Sequence, residues 1–554
     1  MAHTSIIGKD ILQMLMFSLY PEPETIYREY LQNASDSIQE AKLAGVLNED
    51  EGHVSIIINE NTQQIIINDD GIGVPTEKAE SVLKDIAVSP KKNKSYVAGF
   101  YGIGRLVGAG YCNQLVFRTS YKGESEISEL TIDVKKIRDC LDDDNNSMTA
   151  TELLDFAANF SVKNGEETDK HYFEVTLIDI LPEYAENLLD IEKIKNYLIQ
   201  VAPVDYRAEF KNTLIEPSLE SAETDIKEEV TNYVRNLNSV KISLNNIVDI
   251  RKKYSYKIEG LDDDIDTLRY FVLKDSKFGT LAWGWYAVTA FTVQIPDAIP
   301  NTNPKQLVLT RGMRLRIKNI QIGDANFFDG TAYFKQARSN KYFNGEIHIV
   351  NESIKPTTDR SDLAPSKEAL ALKKKLTDFF NTEMQGVYQK ANKAKTTLNE
   401  LEKIEKENAI LTEKKQKGIL SESEKEELQK ISSRREKVSK DIQQYITDKK
   451  PSNIGESQML ALYKKRLDDV NKKVREGKTC DLVISDSTKI NNEKQFLFSH
   501  PEQDIFVGLD EKYSAEQIEI IKKIINIIDV NFYSDAYKKI TKGIKATILK
   551  ELKK

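Results

Sequence analysis

The sequence predicts an α+β protein with several domains. Short runs of β-branched and other apolar residues, typical of strands, occur at residues 54–58, 63–67, 114–119, 128–134 and 172–178. From residue 366 to about 450 the composition changes to Lys, Glu, Gln and Leu without proline, which indicates long helices. A chain of 554 residues with 40% hydrophobic residues is large enough for several cores.

The segment REYLQNASDS, from Arg28 to Ser37, contains the first candidate site. On a helix, Glu29 and Asn33 project from one face, with Asp36 at the next turn. A carboxylate that can take a water proton, beside a neutral oxygen ligand that suits Mg²⁺, is what hydrolysis of a nucleoside triphosphate requires. A solvated helix face is the common alternative for such a pair.

Two glycine clusters follow this segment. Gly71 and Gly73 come after the apolar run 65–67, so they mark a strand end where the backbone turns or approaches a ligand closely. Gly99, Gly102 and Gly104 leave backbone N–H groups free to hold phosphates. An ordinary turn is the alternative for each cluster.

In this order, the three elements resemble the GHKL ATPases, and most of all the heat shock protein 90 family. The resemblance rests on SLYPEPETIYREYLQNASDSI (18–38), IIINDDGIGV (65–74) and IAVS (86–89). It implies an N-terminal ATPase sandwich of the Bergerat type at residues 1–205. It also implies that ATP and Mg²⁺ bind there, beneath a lid from about 87 to 108.

The resemblance further implies a role for single residues. Glu29 matches the general base, Asn33 matches the Mg²⁺ and phosphate ligand, and Asp69 matches the carboxylate that accepts the adenine amino group. The other residues implied to bind the nucleotide are Asp36, Gly71 and Gly73, the phosphate-loop residues Gly99, Gly102 and Gly104, and Arg105, which stands where the family has an aromatic residue. The family's Gly-Thr pair is missing from HYFEVTLIDI (171–180), which leaves the far side of the adenine pocket undefined.

A second α+β region is expected at residues 206–365. Arg314, Arg316 and Lys318 alternate with apolar residues, which predicts either an amphipathic edge strand with one cationic face or a nucleic-acid groove. GEIHIVNESIKPTTDRSDL (345–363) resembles the middle domain of the same family. The resemblance implies that Arg360 reaches the neighbouring active site, where a guanidinium can stabilise charge on the γ-phosphate.

Two further domains complete the expected architecture. Residues 366–450 are predicted to form a coiled-coil helical hairpin, with Gly418 ending one helix and a capping box of Ser421 and Glu424 starting the next. Residues 451–554 are predicted to form a small α/β C-terminal domain, with a strand at 481–484 and a helix from Ser514. In the first domain, the polar stretch 142–169 is expected to be an exposed insertion around one short helix.

Composition limits the location and the partners. The net charge of −8, from 79 basic and 87 acidic residues, disfavours nucleic acid as the main partner. Three widely spaced cysteines indicate neither a zinc site nor a disulfide scaffold, and they fit a reducing compartment. The sequence shows no targeting or membrane segment, which predicts a cytoplasmic location.

The sequence therefore predicts an ATP-hydrolysing conformational switch that clamps protein clients or partners. A DNA-linked clamp ATPase resembling MutL or the MORC proteins stays open as an alternative, as does the ATPase subunit of a bacterial defence system. Whether the protein forms a homodimer also stays open.

Overall fold

The computed structural model describes residues 6–86 and 104–475, apart from positions 19, 21, 247, 262, 292, 331, 337 and 448–450. Residues 87–103 of the predicted lid, which include Gly99 and Gly102, lie outside the described residues. The same holds for the strand predicted at 481–484 and the helix predicted from Ser514.

A mixed eight-stranded sheet forms the first part of the structure. Alternate residues of its strands point into one core, as Val54, Ile56 and Ile58 of the first strand do. The strands are β1 His53–Asn59, β2 Gln64–Asp69, β3 Cys112–Ser120, β4 Glu126–Asp133, β5 Ala158–Asn164, β6 Tyr172–Ile180, β7 Lys241–Leu244 and β8 Val248–Asp249. Their order in the sheet is β5-β4-β3-β6-β2-β1-β7-β8. The five strands predicted in this part are confirmed.

Helices pack on this sheet and share its core. The α-helices are α1 Asp10–Gln13, α2 Thr25–Leu43, α3 Thr76–Lys84, α4 Val134–Asp142, α5 Ala150–Ala157, α6 Pro182–Leu188 and α7 Ile191–Val201, with a π-helical segment at Met14–Ser18 and a 3₁₀ helix at Gly104–Gly110. Fourteen of the nineteen residues of α2 are buried, so this helix is a central element of the core.

The polar stretch 142–169 contains the short helix that was predicted, but it also contributes a strand to the first sheet, so the prediction of an insertion was wrong. Helix α5 begins with a capping box of Thr149 and Glu152, and its Leu153 is buried. The chain then continues directly into β5, which pairs with β4. Because β5 is an edge strand with about half of its residues exposed, its composition resembles that of a loop.

A mixed five-stranded sheet forms the second part. Its strands are β9 Thr267–Asp275, β10 Gly279–Val288, β11 Gly312–Ile317, β12 Ile320–Ile322 and β13 Asn344–Ile349, in the order β12-β11-β13-β10-β9. Before it come α8 Ala208–Phe210, a π-helical segment Lys211–Ile215, α9 Glu216–Glu220 and α10 Thr224–Arg235. Trp283, Trp285 and Tyr254 belong to a core rich in aromatic residues.

Strand β7 connects the two parts. It follows α10 in the chain, yet it pairs in parallel with β1, at the edge of the first sheet. Residues 241–249, which the sequence places in the second region, therefore extend the first sheet.

The basic strand β11 is neither an edge strand nor a cationic surface, and both interpretations were wrong. It lies between β12 and β13, and all six of its residues are buried. Arg314 and Arg316 are each 2% exposed, and Nε of Arg316 lies 2.6 Å from Oε1 of Glu346. A surface groove for nucleic acid cannot use these two side chains.

Long helices follow the second sheet. They are α11 Lys367–Phe379, a π-helical segment Phe380–Met384, α12 Gln385–Gln416, α13 Glu422–Thr447 and α14 Ile454–Arg475. The predicted helix end and capping box are confirmed: Gly418 has φ +71°, and Ser421 and Glu424 exchange hydrogen bonds at the start of α13. Helix α14 returns to the second sheet, where the Tyr463 hydroxyl donates to Ala290 O at 2.7 Å.

Two mixed sheets combined with long helices confirm the predicted α+β class. Within the ranges that the structure describes, no helix combines the length and the apolar character that crossing a membrane requires.

Candidate active site

One face of helix α2 forms the floor of the candidate site. Glu29, Asn33 and Ser37 follow one another at four-residue intervals and therefore lie in one stripe. Glu29 and Ser37 are buried, whereas Asn33 is partly exposed. At 1.5 Å per residue the stripe is about 12 Å long. A stripe of this length can run beside an extended nucleoside triphosphate from its phosphates to its base.

The Glu29 end of the stripe meets the start of the Gly104–Gly110 helix. A Cβ atom at Gly104 would lie 2.8 Å from Oε2 of Glu29, so a larger residue at position 104 would displace the Glu29 carboxylate. Tyr30, the next residue of α2, holds the same segment: its hydroxyl donates to Arg105 O at 2.9 Å and accepts from Gly108 N at 3.0 Å. The helix and the glycine segment are therefore fixed to each other.

Two arginines lie beside Glu29 at this end, and a third, Arg105, follows Gly104 in the chain. Nε of Arg360 is 3.4 Å from Oε1 of Glu29, and Nε of Arg28 is 3.8 Å from the same oxygen. Nε and Nη2 of Arg105, like Nε of Arg28, are buried and make no hydrogen bond with any described residue. Burial lowers the pKa of Arg105 to about 10, so it stays charged at neutral pH. Buried guanidinium nitrogens that have no hydrogen-bond partner among the described residues fit an anionic ligand such as a phosphate.

Arg360 is held in place by its own loop. Its backbone is left-handed, with φ +58°, and its carbonyl accepts from Gly323 N at 2.8 Å. The preceding residue, Asp359, accepts a hydrogen bond on its carbonyl from Nη2 of Arg28 at 2.7 Å. Burial lowers the pKa of Arg360, and the charge of Glu29 opposes this shift. Left-handed backbone is costly for arginine, so the surrounding contacts must impose it.

The opposite end of the stripe is formed by the bend after β2. Asp69 is buried, and its Oδ1 accepts from Gly71 N at 2.9 Å. Ile72 N donates to Ser37 O at 3.2 Å, which fixes the bend on helix α2. A Cβ at Gly71 would lie 2.1 Å from Ser37 Oγ, and one at Gly73, which has φ +69°, would lie 1.9 Å from Ser120 O. Both positions therefore require glycine.

The sequence-predicted residues are thus placed as follows. Glu29, Gly104 and Arg360 meet at one end of α2, with Arg105 following Gly104, and Asp69, Gly71 and Gly73 form the bend at the other end. Asn33 lies between the two ends, and Asp36 is buried one residue before Ser37. Gly99 and Gly102 are outside the described residues.

A polar network that sequence reasoning missed joins α2 to the second sheet. Asn238 Nδ2 donates to Ser35 Oγ at 3.0 Å, and Asn319 Nδ2 donates to Asn238 O at 2.8 Å. Asn319 Oδ1 accepts from Nζ of the buried Lys252 at 2.7 Å, and the same amine lies 2.7 Å from Oε2 of Glu346. The pairs are 67 to 203 residues apart in sequence, so no local pattern signals them.

Arg316 strengthens the same junction. Its Nη2 donates to Gln200 O, at the end of α7, at 2.8 Å, and its Nη1 donates to Asn319 O at 3.0 Å. The second sheet is therefore attached to the helices of the first sheet through buried, charge-assisted hydrogen bonds.

The first sheet, helix α2 and the Asp-Gly bend define a GHKL-type ATPase domain. Residues 22–164 match the family of histidine kinase-, DNA gyrase B-, and HSP90-like ATPases.

The curated relatives include HtpG chaperone proteins, which are of the HSP90 family. The chain is 32% identical over 113 residues to chaperone protein HtpG of Legionella pneumophila (strain Lens), which covers 17% of this chain and 18% of that protein. It is 22% identical over 138 residues to HtpG of Salinispora arenicola, covering 22% of each chain. It is 33% identical over 88 residues to HtpG of Chlorobaculum tepidum, covering 15% of this chain and 14% of that protein. The matched region thus spans less than a quarter of these relatives.

Proposed function

We propose that this chain binds ATP with Mg²⁺, hydrolyses it to ADP and phosphate, and uses the reaction to change how its second sheet docks on the ATPase domain. The observation that carries the proposal is the stripe on α2. It joins a cationic end, where Arg28 and Arg360 lie beside Glu29, to a bend whose carboxylate suits a base amino group.

The residues present fit both ligands. Asn33 offers a neutral oxygen, a ligand type that suits Mg²⁺, and its amide makes no hydrogen bond with the described residues. When bound there, Mg²⁺ would neutralise charge on the phosphates. Arg105 and Gly104 hold phosphate oxygens, while Asp69, above Gly71 and Gly73, accepts from the adenine amino group. Gly99, Gly102 and Asp36 complete the proposed nucleotide-binding set.

Hydrolysis needs one base and one cation beyond these contacts. Glu29 takes a proton from a water whose oxygen attacks the γ-phosphorus, while the bond to the β–γ bridging oxygen breaks and ADP leaves. Arg360 stabilises the charge that develops on the transferred phosphoryl group.

Because Arg360 follows β13, the proposed site is complete only when the second sheet is docked. We therefore propose a conformational switch of the chaperone type that acts on protein clients or partners, with a homodimer as one possible assembly. The HtpG relatives support this reading. The burial of Arg314 and Arg316 removes the strand that had favoured a DNA-linked enzyme, and no described feature singles out a defence-system subunit.

Phosphate release by the full chain tests the proposal. We expect Glu29→Gln to lose phosphate release and to keep nucleotide binding, because the variant keeps the shape of the side chain but not its basicity. Glu40→Gln, on the same helix outside the site, serves as the matched control. Wild-type turnover in the Glu29→Gln variant would reject the base assignment.

A further inference from the structure

The hydroxyl of Tyr30 makes two hydrogen bonds with the backbone of the Gly104–Gly110 helix. It donates to Arg105 O at 2.9 Å and accepts from Gly108 N at 3.0 Å. In a 3₁₀ helix, a carbonyl pairs with the N–H group three residues further along, and residues 105 and 108 have this spacing. The hydroxyl therefore bridges two groups that could otherwise bind each other, as a side chain does where it enters a helical ladder.

The surroundings of this hydroxyl fix the bridge in place. Tyr30 is buried, and burial raises the pKa of its hydroxyl well above the usual value, so the hydroxyl keeps its proton at neutral pH. A Cβ atom at position 108 would lie 2.5 Å from the hydroxyl oxygen, so glycine permits the contact. Gly108 O accepts from Tyr111 N at 3.0 Å and from Cys112 Sγ at 3.2 Å, which ties the bridge to the start of β3.

Two consecutive residues of α2 thus contact two consecutive residues of the Gly104–Gly110 helix. Glu29 approaches Gly104, and Tyr30 holds the carbonyl of Arg105. Because Tyr30 follows Glu29 on a helix that is largely buried, the bridge sets the position of the Arg105 backbone relative to the Glu29 carboxylate. The Arg105 side chain, which is proposed to bind phosphate oxygens, extends from this backbone.

We infer that Tyr30 is a positioning residue of the ATPase site, whose hydroxyl determines where Arg105 holds the phosphates of ATP relative to Glu29. This inference rests on the proposed function. Without the hydroxyl, Gly108 N can donate directly to Arg105 O, so neither backbone group has to stay unpaired. The turn then closes over the space that the hydroxyl occupied, and Arg105 moves with it. Loss of the hydroxyl should therefore displace a phosphate ligand without unfolding the protein.

A double-mutant cycle with Arg105 tests this inference, because a residue that acts through another has no effect once the other is removed. Tyr30→Phe removes the bridging hydroxyl and keeps the ring, and it is introduced into the wild-type chain and into Arg105→Met. Tyr27→Phe is the matched control, since it removes a buried hydroxyl of the same helix that donates to Leu188 O at 2.6 Å. Calorimetric titration of each full chain with a non-hydrolysable ATP analogue and Mg²⁺ gives the dissociation constants, and thermal unfolding shows whether each variant is folded.

We expect Tyr30→Phe to raise the dissociation constant about tenfold in the wild-type chain, the effect of a weakened charge-assisted contact, and less than about twofold in Arg105→Met. Tyr27→Phe should leave it nearly unchanged in both.

Three results would overturn this inference and leave the proposed function intact. They are an equal effect of Tyr30→Phe in the two chains, an equal effect of Tyr27→Phe and Tyr30→Phe in the wild-type chain, and a Tyr30→Phe variant that does not fold. Failure of the wild-type chain to bind the analogue would instead overturn the proposed function itself.

Discussion

The guanidinium of Arg360 lies 3.4 Å from the carboxylate of Glu29, although the two residues belong to different sheet domains and are 331 positions apart. The residue proposed as the base and the residue proposed to stabilise the developing charge thus meet directly. This contact makes chemistry at α2 depend on how the second sheet is docked.

Removal of the Arg360 charge should abolish hydrolysis without abolishing binding. Arg360→Asn is the sharpest variant, because asparagine tolerates the left-handed backbone that the loop requires. We expect phosphate release to fall by about 100-fold or more, as on loss of a donor aimed at developing charge. Arg360→Lys should be intermediate, since it keeps the charge without the planar fork. Arg338→Asn, at an exposed position, is the control. Wild-type turnover in Arg360→Asn would argue against the role.

Replacement of Arg105 should lower the affinity for ATP and raise the free energy of unfolding. Arg105→Met removes a buried guanidinium that has unsatisfied N–H groups, so the nucleotide-free protein should gain about 1–3 kcal/mol in its free energy of unfolding. ATP affinity should fall at least about tenfold, because a charged phosphate contact is lost. Thermal unfolding and calorimetry measure the two effects, with the exposed Arg207→Met as the control. A less stable variant with unchanged affinity would contradict a phosphate role.

Loss of the Asn319 side chain, which joins α2 to the second sheet, should lower turnover more than nucleotide binding. Asn319→Gly keeps the left-handed backbone, at φ +65°, and removes the amide that connects Asn238 to Lys252. We expect phosphate release to fall about tenfold, because Arg360 would be presented less accurately, while the ATP dissociation constant changes little. Asn246→Gly, an exposed residue with φ +56°, is the matched control. Equal effects of the two substitutions on turnover would reject a coupling role for the network.

The buried charge cluster should make the second sheet sensitive to acid. Burial lowers the pKa of His348 to about 4; the charges of Lys252 and Arg316 act in the same direction, and Glu346 opposes them. The unfolded chain, with an ordinary pKa near 6.5, binds more protons between pH 4 and 6.5. The free energy of unfolding should therefore fall by about 3 kcal/mol as the pH drops through this window.

Tryptophan fluorescence can follow this effect, because both tryptophans lie in β10 and the Trp283 ring stacks on His348 at 4.5 Å. His348→Gln should flatten the dependence between pH 4 and 6.5, since glutamine can donate to Glu346 without titrating. An equal loss of stability in both proteins would show that another group is responsible.

Local sequence patterns predicted the helix and the strand that carry the site, but not the contacts between residues far apart in the sequence. The four-residue spacing of Glu29 and Asn33 places them on one face of α2, and the apolar run before Asp69 marks the strand that carries the bend. Tyr30 and Asn319 were missed because the partners that fix them to other elements lie 67 or more residues away along the chain. Arg360 could be singled out only through its resemblance to a family, since a lone arginine in a polar loop has no local signature.

The basic strand β11 shows a different limit. Alternation of arginine with apolar residues correctly indicates two faces, but it does not reveal whether the second face is exposed to water. Glu346, on the neighbouring strand β13, and the carbonyl of Gln200, on α7, supply the partners that allow Arg316 to be buried. These partners come from distant parts of the chain, so the pattern alone suggested a surface.

Calorimetric titration of the full chain with a non-hydrolysable ATP analogue and Mg²⁺ tests the central claim most directly. The account predicts one site per chain that is lost in Asp69→Asn, where the amide would place a donor near the base amino group. It predicts that the site is kept in Asp70→Asn, since Asp70 instead accepts from His53 N on β1. The absence of binding by the wild-type chain, or equal affinity in the Asp69→Asn and Asp70→Asn variants, would contradict it.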